Sequence, residues 1–490
     1  MAPTLWRLST ALLFLFAALL TPGQLLSAQE KDKDKGTVFD DLLDILRKNN
    51  QITPEQAQEL RERARREQQG QPLAGIDENL KPYLRSPDGN FRLELGGFVQ
   101  FDYDGVESNA RQLTGGGLND TFLIRRARVS MAGQMFKWVG FKIEGDWSSQ
   151  QSNNFELTDG YIDLNFMPQV GLRGGQFKEP FSPEEITSDL FIDTIERSMV
   201  NELAPSRDVG AMLQGQLFDR IFGYAIGVFN GSGQNTQDND DEKDLAMRLT
   251  LSPFRNTDLF FFKGLNIGVD GTLGDEDQRT SARGRTTART TNRFTFFAQQ
   301  PTNGNRYRWG VDVAWLIGPG SLKFEYDQQR DQRKRLAVNG GDLDSVRANG
   351  FYVTGTYLLT GENSVLNGPV IPRRPFSPLT QQLGPGAWEL VGRYQQLKFS
   401  SNDPVDFFDG NIRNGITGGG TTAENGAEAV TVGLNWYLNS RVRAMANWTR
   451  YWFDNDLGTP FSCKQGSCGA STLQSAGGSW EFLTRLQLWF

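Results

Sequence analysis

From residue 88 onward, apolar and polar residues alternate in short runs, and segments rich in glycine, asparagine and aspartate separate these runs. Successive side chains of a β-strand point to opposite faces, so each run predicts a strand with one apolar and one polar face. The first run places Val99, Phe101 and Tyr103 on one face. Gln100 and Asp102 fall on the other face. Four later runs have apolar faces made of Phe141, Ile143 and Trp147; Leu245, Met247, Leu249 and Leu251; Trp309, Val311, Val313 and Trp315; and Leu322, Phe324 and Tyr326.

The last run, WEFLTRLQLWF, reaches the final residue of the sequence. Its apolar face carries Phe482, Leu486, Leu488 and Phe490, and its polar face carries Arg485 and Gln487. An apolar strand at an open sheet edge invites aggregation, whereas in a closed barrel it pairs with the first strand. The ending therefore favours a barrel, and a terminal phenylalanine on such a strand resembles an outer-membrane assembly signal.

Before the strands, the spacing of apolar residues changes to that of helices. A stripe from Val38 to Leu46 predicts one helix, and the sequence Thr53-Pro54-Glu55-Gln56 predicts the capped start of a second. The second helix has too few apolar residues for a core of its own, so two interpretations stay open: a solvated segment or a short coiled-coil assembly element. Its basic run RERARR lacks interleaved aromatic residues and is typical of a solvated helix face, so we expect no nucleic-acid partner.

A soluble sandwich would also alternate, but two features favour a transmembrane barrel. Several segments between the predicted strands are long polar loops, which are uncommon in compact domains and usual on the outer side of porins. The aromatic residues near strand ends suit interfacial girdles. With roughly 25 residues per strand and its share of loop, about sixteen antiparallel strands are expected. The tryptophans are Trp138, Trp147, Trp309, Trp448, Trp452 and Trp489, and the loops are Gly231 to Lys243, Asp275 to Asn292, Gly361 to Gly386 and Asn402 to Glu428.

The first 28 residues predict a signal peptide. Arg7 supplies a positive start, the apolar run ALLFLFAALL is too short to span a bilayer, and Ser27-Ala28 offers a cleavage point. We therefore expect a signal peptide over residues 1–28, a helical or coiled-coil-like periplasmic segment with its linker over 29–75, and the barrel over 88–490.

Composition excludes several classes of function. The chain contains no histidine, which removes a Ser-His triad and a His-dependent lipase, and no serine lies in a nucleophile-elbow sequence. Cys463 and Cys468 are the only cysteines and lie in a Gly/Ser/Thr-rich stretch, which favours a small loop disulfide over a redox or zinc site. We expect no enzymatic activity, no cofactor and no metal site.

Four sequence blocks resemble the phosphate-selective porins O and P. They are LIRRARVSMAG from Leu123, the stretch from Leu172 to Gly210 containing GQFKEPF and RDVG, EAVTVGLNWYLNSRVRAMANW from Glu428, and the ending from Leu483 to Phe490. They occur across the whole predicted barrel in the family's order. The resemblance implies an outer-membrane porin, with the segment after GQFKEPF folded into the pore, and a homotrimeric assembly.

Carried over residue by residue, the resemblance also implies a set of pore residues. Arginines on polar strand faces would line the lumen: Arg126, Arg128, Arg248, Arg441 and Arg443. Arg125 falls on the opposite face and is expected near the membrane rim or at a subunit contact. The constriction loop would contain Lys178, Glu184, Glu185, Asp189, Asp193, Glu196 and Arg197. This loop is acidic where a phosphate-selecting loop should present cations, unless its acids pair with the wall arginines.

The sequence thus predicts passive diffusion of small hydrophilic solutes, with anions such as phosphate the family's expectation. Three alternatives stay open: a general, cation or organic-solute porin; a plugged barrel whose loops bind a surface partner; and a membrane-embedded hydrolase with a base other than histidine. The expected partners are outer-membrane lipid, small anionic or hydrophilic solutes, further copies of the chain and the barrel-assembly machinery.

Overall fold

The structure is a computed structural model of the chain. It describes residues 38–49, 51–68, 73–76, 81–106, 120–148, 155–238, 241–276, 284–285, 295–297, 301–337, 340–378, 382–402, 423–454 and 478–490. The expected signal peptide and both cysteines lie outside these residues. The chain divides into two compact units, residues 1–72 and 73–490.

The first unit contains the two predicted helices, α1 (Val38–Lys48) and α2 (Pro54–Gln68). The capping box forms as the sequence indicates. The backbone N–H of Gln56 donates to Thr53 Oγ1 at 3.2 Å, and that of Thr53 donates to Gln56 Oε1 at 2.9 Å. These bonds satisfy amide groups that the first helical turn leaves free. Within the described residues, no helix is long and apolar enough to cross a membrane.

The second unit is a closed antiparallel barrel. Its main sheet has eighteen strands, of which two form a short hairpin, Leu73–Ile76 with Pro82–Arg85. The other sixteen are β1 (Phe91–Val106), β2 (Thr121–Met135), β3 (Val139–Asp146), β4 (Glu156–Met167), β5 (Val170–Lys178), β6 (Arg207–Leu217), β7 (Phe222–Phe229), β8 (Asp244–Leu251), β9 (Gly264–Glu276), β10 (Gly304–Ile317), β11 (Gly320–Arg333), β12 (Leu343–Leu358), β13 (Ala387–Ser401), β14 (Ala423–Tyr437), β15 (Val442–Phe453) and β16 (Gly478–Trp489). The predicted fold class and strand number are confirmed.

Each strand pairs with its chain neighbours, and β16 pairs with β1 to close the sheet. The final residue takes part in the closure, because Phe490 and Gly97 exchange two backbone hydrogen bonds of 3.0 Å. Every edge of the barrel is thereby paired, as a lipid-embedded backbone requires.

Strand faces follow the alternation. On β1, Val99 and Phe101 are exposed on the outside, while Gln100 and Asp102 are completely buried inside. The outer surface is therefore apolar and suited to lipid, and the interior is polar and charged. Trp138, Trp147, Trp309, Trp448 and Trp452 are exposed, but Trp489 is buried and its ring lies edge-on to Phe191. The girdle expectation is thus wrong for Trp489, which shares the inward parity of Arg485 and Gln487.

The two ends of the barrel differ. At one end, here called the terminal end because β1 begins and β16 ends there, most connections are short. The strands β7, β9 and β13, after which the loops near Gly231, Asp275 and Asn402 begin, end at the other end, called the loop end. The expectation that Gly361 to Gly386 belongs with them is wrong, because it follows β12, which runs toward the terminal end. The length of a connection therefore does not show at which end it lies. In an antiparallel barrel, connections after odd-numbered strands lie at one end and connections after even-numbered strands lie at the other.

Candidate functional site

A long segment enters the barrel between β5 and β6, and we call residues 179–206 the inserted loop. It contains a short helix, Pro183–Ile186, capped by Ser182, and a 3-10 turn, Met199–Glu202. The Ser182 hydroxyl accepts from the Glu185 N–H at 3.2 Å. Phe181, Ile195 and Met199 have no solvent-accessible surface, although the segment belongs to no strand. The segment is therefore packed against the interior wall.

The wall binds the backbone of the inserted loop through polar side chains. Arg443 of β15 donates to the carbonyls of Leu190, Ile192 and Asp193 at 3.0–3.4 Å. Arg485 of β16 donates to the carbonyl of Ile195 at 2.8 Å. Buried carbonyls in an irregular segment need such donors, because they have no strand partner. Further donors to loop carbonyls are Gln100, Arg393, Asn435 and Gln487.

The loop carboxylate Asp189 lies among three guanidinium groups. Arg128 Nη1 is 2.7 Å from Asp189 Oδ2, and Arg126 Nη2 is 3.2 Å from Oδ1. Arg197, from the loop itself, also pairs with Asp189. Burial opposes ionisation here, but the three arginines hold the pKa of Asp189 well below its ordinary value. Asp189 is thus a charged anchor that joins the loop to β2.

Glu196 is the second anchor. One of its partners is Arg125, which the sequence analysis placed near the membrane rim or at a subunit contact. The Glu196 carboxylate lies 3.4 Å from Arg125 Nε and 3.5 Å from Arg126 Nη1. Arg125 therefore points inward, not toward the rim. The register between β1 and β2 shifts at Gln100, so that Gln100 pairs with Arg126 while the next residue, Phe101, pairs with Ile124. This β-bulge turns two consecutive arginines to the same side, which strict alternation cannot foresee.

Three further loop acids, Glu184, Glu185 and Asp193, are also paired. Glu184 bonds to Arg393 Nη2 of β13 at 2.7 Å, and Asp193 bonds to Lys323 Nζ of β11 at 2.9 Å. Burial alone would raise the pKa of Glu185, but Lys178 and Arg197 lower it below its ordinary value. The charges of these acids are thus balanced by wall cations, by Lys178 of β5 and by Arg197 of the loop itself.

Lys178 and Arg197, the cations expected at the constriction, hold the loop in shape. Lys178 Nζ donates to the carbonyl oxygens of Glu185 and Thr187. Arg197 Nε donates to the carbonyl of Glu184 at 2.9 Å. Both side chains therefore bind the backbone and the carboxylates of the loop.

Two of the wall arginines differ from the others. Arg248 of β8 faces the lumen, where it pairs with Asp270 and, at 2.7 Å, with Asp312. Arg441 was expected on the wall, but it lies in the turn before β15 at the terminal end. The strand begins one residue later, so Arg441 is at the rim.

A cavity of about 340 Å³ remains between the inserted loop and the wall from β6 to β13. The connection between β12 and β13 also enters this region, because Thr187 Oγ1 donates to Asn367 Oδ1 at 2.9 Å. Its charged lining residues are Arg220, Arg248, Arg255, Lys323, Arg393, Glu184, Asp193 and Asp312. Five cations therefore face three carboxylates across this space.

The sequence analysis missed Arg393, Arg485 and Lys323 as loop-binding residues. Arg485 and Lys323 were already on polar strand faces, and Arg393 alternates with the exposed residues Leu390 and Tyr394 in the same way. Inward parity was thus a usable signal, but it does not identify the loop acid that each cation binds. Among the described residues, no group of acidic or sulfur side chains is arranged to hold a metal ion.

Comparison with known proteins gives a consistent result. The family described as phosphate-selective porin O and P matches residues 93–451. Porin O of Pseudomonas aeruginosa is 25% identical over 393 residues, which cover 75% of this chain and 84% of that protein. An anion-selective porin from Comamonas acidovorans superposes with a TM-score of 0.51 at 14% identity, covering 82% of this chain and 100% of that one. At that identity, the structural similarity concerns the fold alone.

Proposed function

The chain belongs to the family of phosphate-selective porins O and P and is an outer-membrane porin, and on that premise we propose that it passes small anions, phosphate among them, by passive diffusion. The proposal rests on the cavity beside the inserted loop, which is lined by more cationic side chains than carboxylates. A low-dielectric passage with net positive lining stabilises a partly dehydrated anion and repels cations.

The pairing of the loop acids supports this assignment. Asp189, Glu196 and Glu184 each lie within ion-pair distance of at least one wall arginine. Carboxylates neutralised in this way do not present a negative surface to the solute. The alternative of a cation pore required those acids to be unpaired in the lumen, so the anion function is preferred.

Roles for individual residues follow from their positions. Arg248 would contact the passing anion at the cavity, while Arg126, Arg128, Arg393 and Arg443 would hold the inserted loop that narrows it. Arg441 would act at the terminal-end mouth. In porins the short turns face the periplasm, so the terminal end is assigned to that side.

Partners are proposed on the same basis. The exposed apolar outer face would contact lipid, and three copies would assemble as the family resemblance implies. Phe490 would serve as the signal for the barrel-assembly machinery, and residues 29–75 would form the periplasmic segment. The family and fold are those of a channel, and we propose that the chain catalyses no reaction.

The test is the zero-current potential of the purified protein in a planar bilayer under a KCl gradient. We expect an anion-selective potential and a chloride current that decreases when phosphate is added. A cation-selective potential would contradict the anion assignment. Anion selectivity without any effect of phosphate would leave a general anion porin, and absence of conductance would favour a plugged barrel.

A further inference from the structure

The cavity beside the inserted loop exposes aliphatic surface to water. Ile186 of the loop and Leu366 of the β12–β13 connection are 39% and 37% exposed, and both line the cavity. Phe191 lines it as well. Apolar side chains are stabilised when another apolar group covers them, and neither water nor a hydrated inorganic ion provides such a group. These side chains indicate a solute with an apolar part.

Two arginines at the terminal-end side of the cavity differ from the other cations. Arg248, Lys323 and Arg393 each pair with a carboxylate. Arg220 and Arg255 also line the cavity and are exposed, and within the described part of the chain neither forms an ion pair. Their guanidinium groups are therefore available to a carboxylate from outside the protein.

The two turns that carry these arginines are joined through their backbones. Arg220 lies in the β6–β7 turn with φ at 66°, in the left-handed region. Arg255 lies in the β8–β9 turn, and the Ser252 N–H donates to the carbonyl of Ile221 at 2.7 Å, which joins the two turns. A left-handed backbone at a residue with a long side chain is uncommon and persists only where its surroundings support it. The two arginines thus extend from adjoining turns into one cavity.

We propose that this cavity binds small organic carboxylates, with the carboxylate on Arg220 and Arg255 and the apolar body against Ile186 and Leu366. Planar guanidinium groups match a carboxylate through paired hydrogen bonds. The volume of about 340 Å³ lies in the range of sites that hold small organic molecules. This inference rests on the proposed anion function and narrows its substrate class from anions in general to amphipathic ones.

The test compares block of the chloride current by benzoate with block by inorganic phosphate in a planar bilayer. We expect benzoate to half-block the current at a lower concentration than phosphate. The double variant Ile186→Asn with Leu366→Asn should raise the half-blocking concentration of benzoate roughly tenfold, because it removes apolar contact, and change that of phosphate little. Arg220→Gln with Arg255→Gln should weaken the block by benzoate to a similar extent.

Leu383→Asn is the matched control. Leu383 is an exposed leucine of the same β12–β13 connection and does not line the cavity, so its substitution should leave the block by benzoate unchanged. Heat-modifiable electrophoretic mobility shows that each variant is folded.

The outcomes separate this inference from the proposed function. Anion selectivity with phosphate as the stronger blocker, or a benzoate block indifferent to the asparagine variants, overturns the organic-carboxylate site and leaves the anion pore in place. Cation selectivity with no block by either anion overturns both.

Discussion

At the scale of single residues, the charges inside the barrel act mostly on one another. Asp189 illustrates this, since Arg126, Arg128 and Arg197 surround it. A buried ion pair gains little net stability, but removing one partner leaves an uncompensated charge that costs about 3–5 kcal/mol. A count of loop acids is therefore a poor guide to selectivity, because each acid's effect depends on its partner.

Glu179 gives a pH-dependent prediction at this scale. It follows the last residue of β5 and is buried, and burial raises its pKa to about 8, against the attraction of Arg308 and Arg306 and with the repulsion of Asp244 and Asp208. Because its pKa is raised on folding, the protonated form is favoured in the barrel. Its contribution to stability is present at low pH and is lost as the pH rises toward 8.

We therefore expect the wild-type barrel to become less stable between about pH 5 and pH 8, and the Glu179→Gln variant to lose less over that range. Denaturant midpoints at several pH values measure this. Parallel curves for the two proteins would contradict the raised pKa of Glu179.

At the scale of elements, the inserted loop keeps its position through many wall donors, and Arg443 contributes the most to its backbone. It donates to three successive parts of the loop, at Leu190, Ile192 and Asp193. Lid and binding loops are usually the least stable parts of a fold, so these hydrogen bonds are needed to hold the inserted loop in one position. A fixed constriction requires it.

The variant Arg443→Ala should release this part of the loop and widen the passage. We expect a higher single-channel conductance with more current noise, because the loop would sample positions away from the wall. Arg347→Ala serves as the control, since Arg347 is solvent-exposed and pairs only weakly, at 3.9 Å, with Asp344. Equal effects of the two substitutions would show that the loop does not depend on Arg443.

At the scale of the whole molecule, closure of the barrel depends on its last strand. Phe490 faces outward and exchanges backbone hydrogen bonds with Gly97, so it lies at the seam. Phe482 of the same strand is a comparable outward phenylalanine. The two differ in position along the strand rather than in exposure.

If Phe490 is an assembly signal, Phe490→Ser should reduce the amount of folded barrel in the outer membrane more than Phe482→Ser does. The two variants lose similar apolar surface to lipid, so the difference reports the terminal position. Heat-modifiable mobility of outer-membrane fractions measures it. Equal losses would attribute the effect to lipid contact alone.

The sequence by itself determined the barrel, its strand number and the facing of most strands. These follow from local properties, because alternation defines two faces and only a closed sheet satisfies every backbone group in lipid. The polar positions of Arg126, Arg128, Arg248 and Arg443 were likewise readable from parity. Loop 179–206 was assigned to the pore from the family resemblance.

Only the tertiary structure decided where the charges act. The bulge that turns Arg125 inward, the pairing of Glu184 with Arg393, and the entry of the β12–β13 connection toward Thr187 join residues far apart in the chain. No local pattern encodes such partners, since each depends on which strands become neighbours when the sheet closes. The sign of the net charge that lines the lumen, which the sequence left open, therefore depends on the closed barrel.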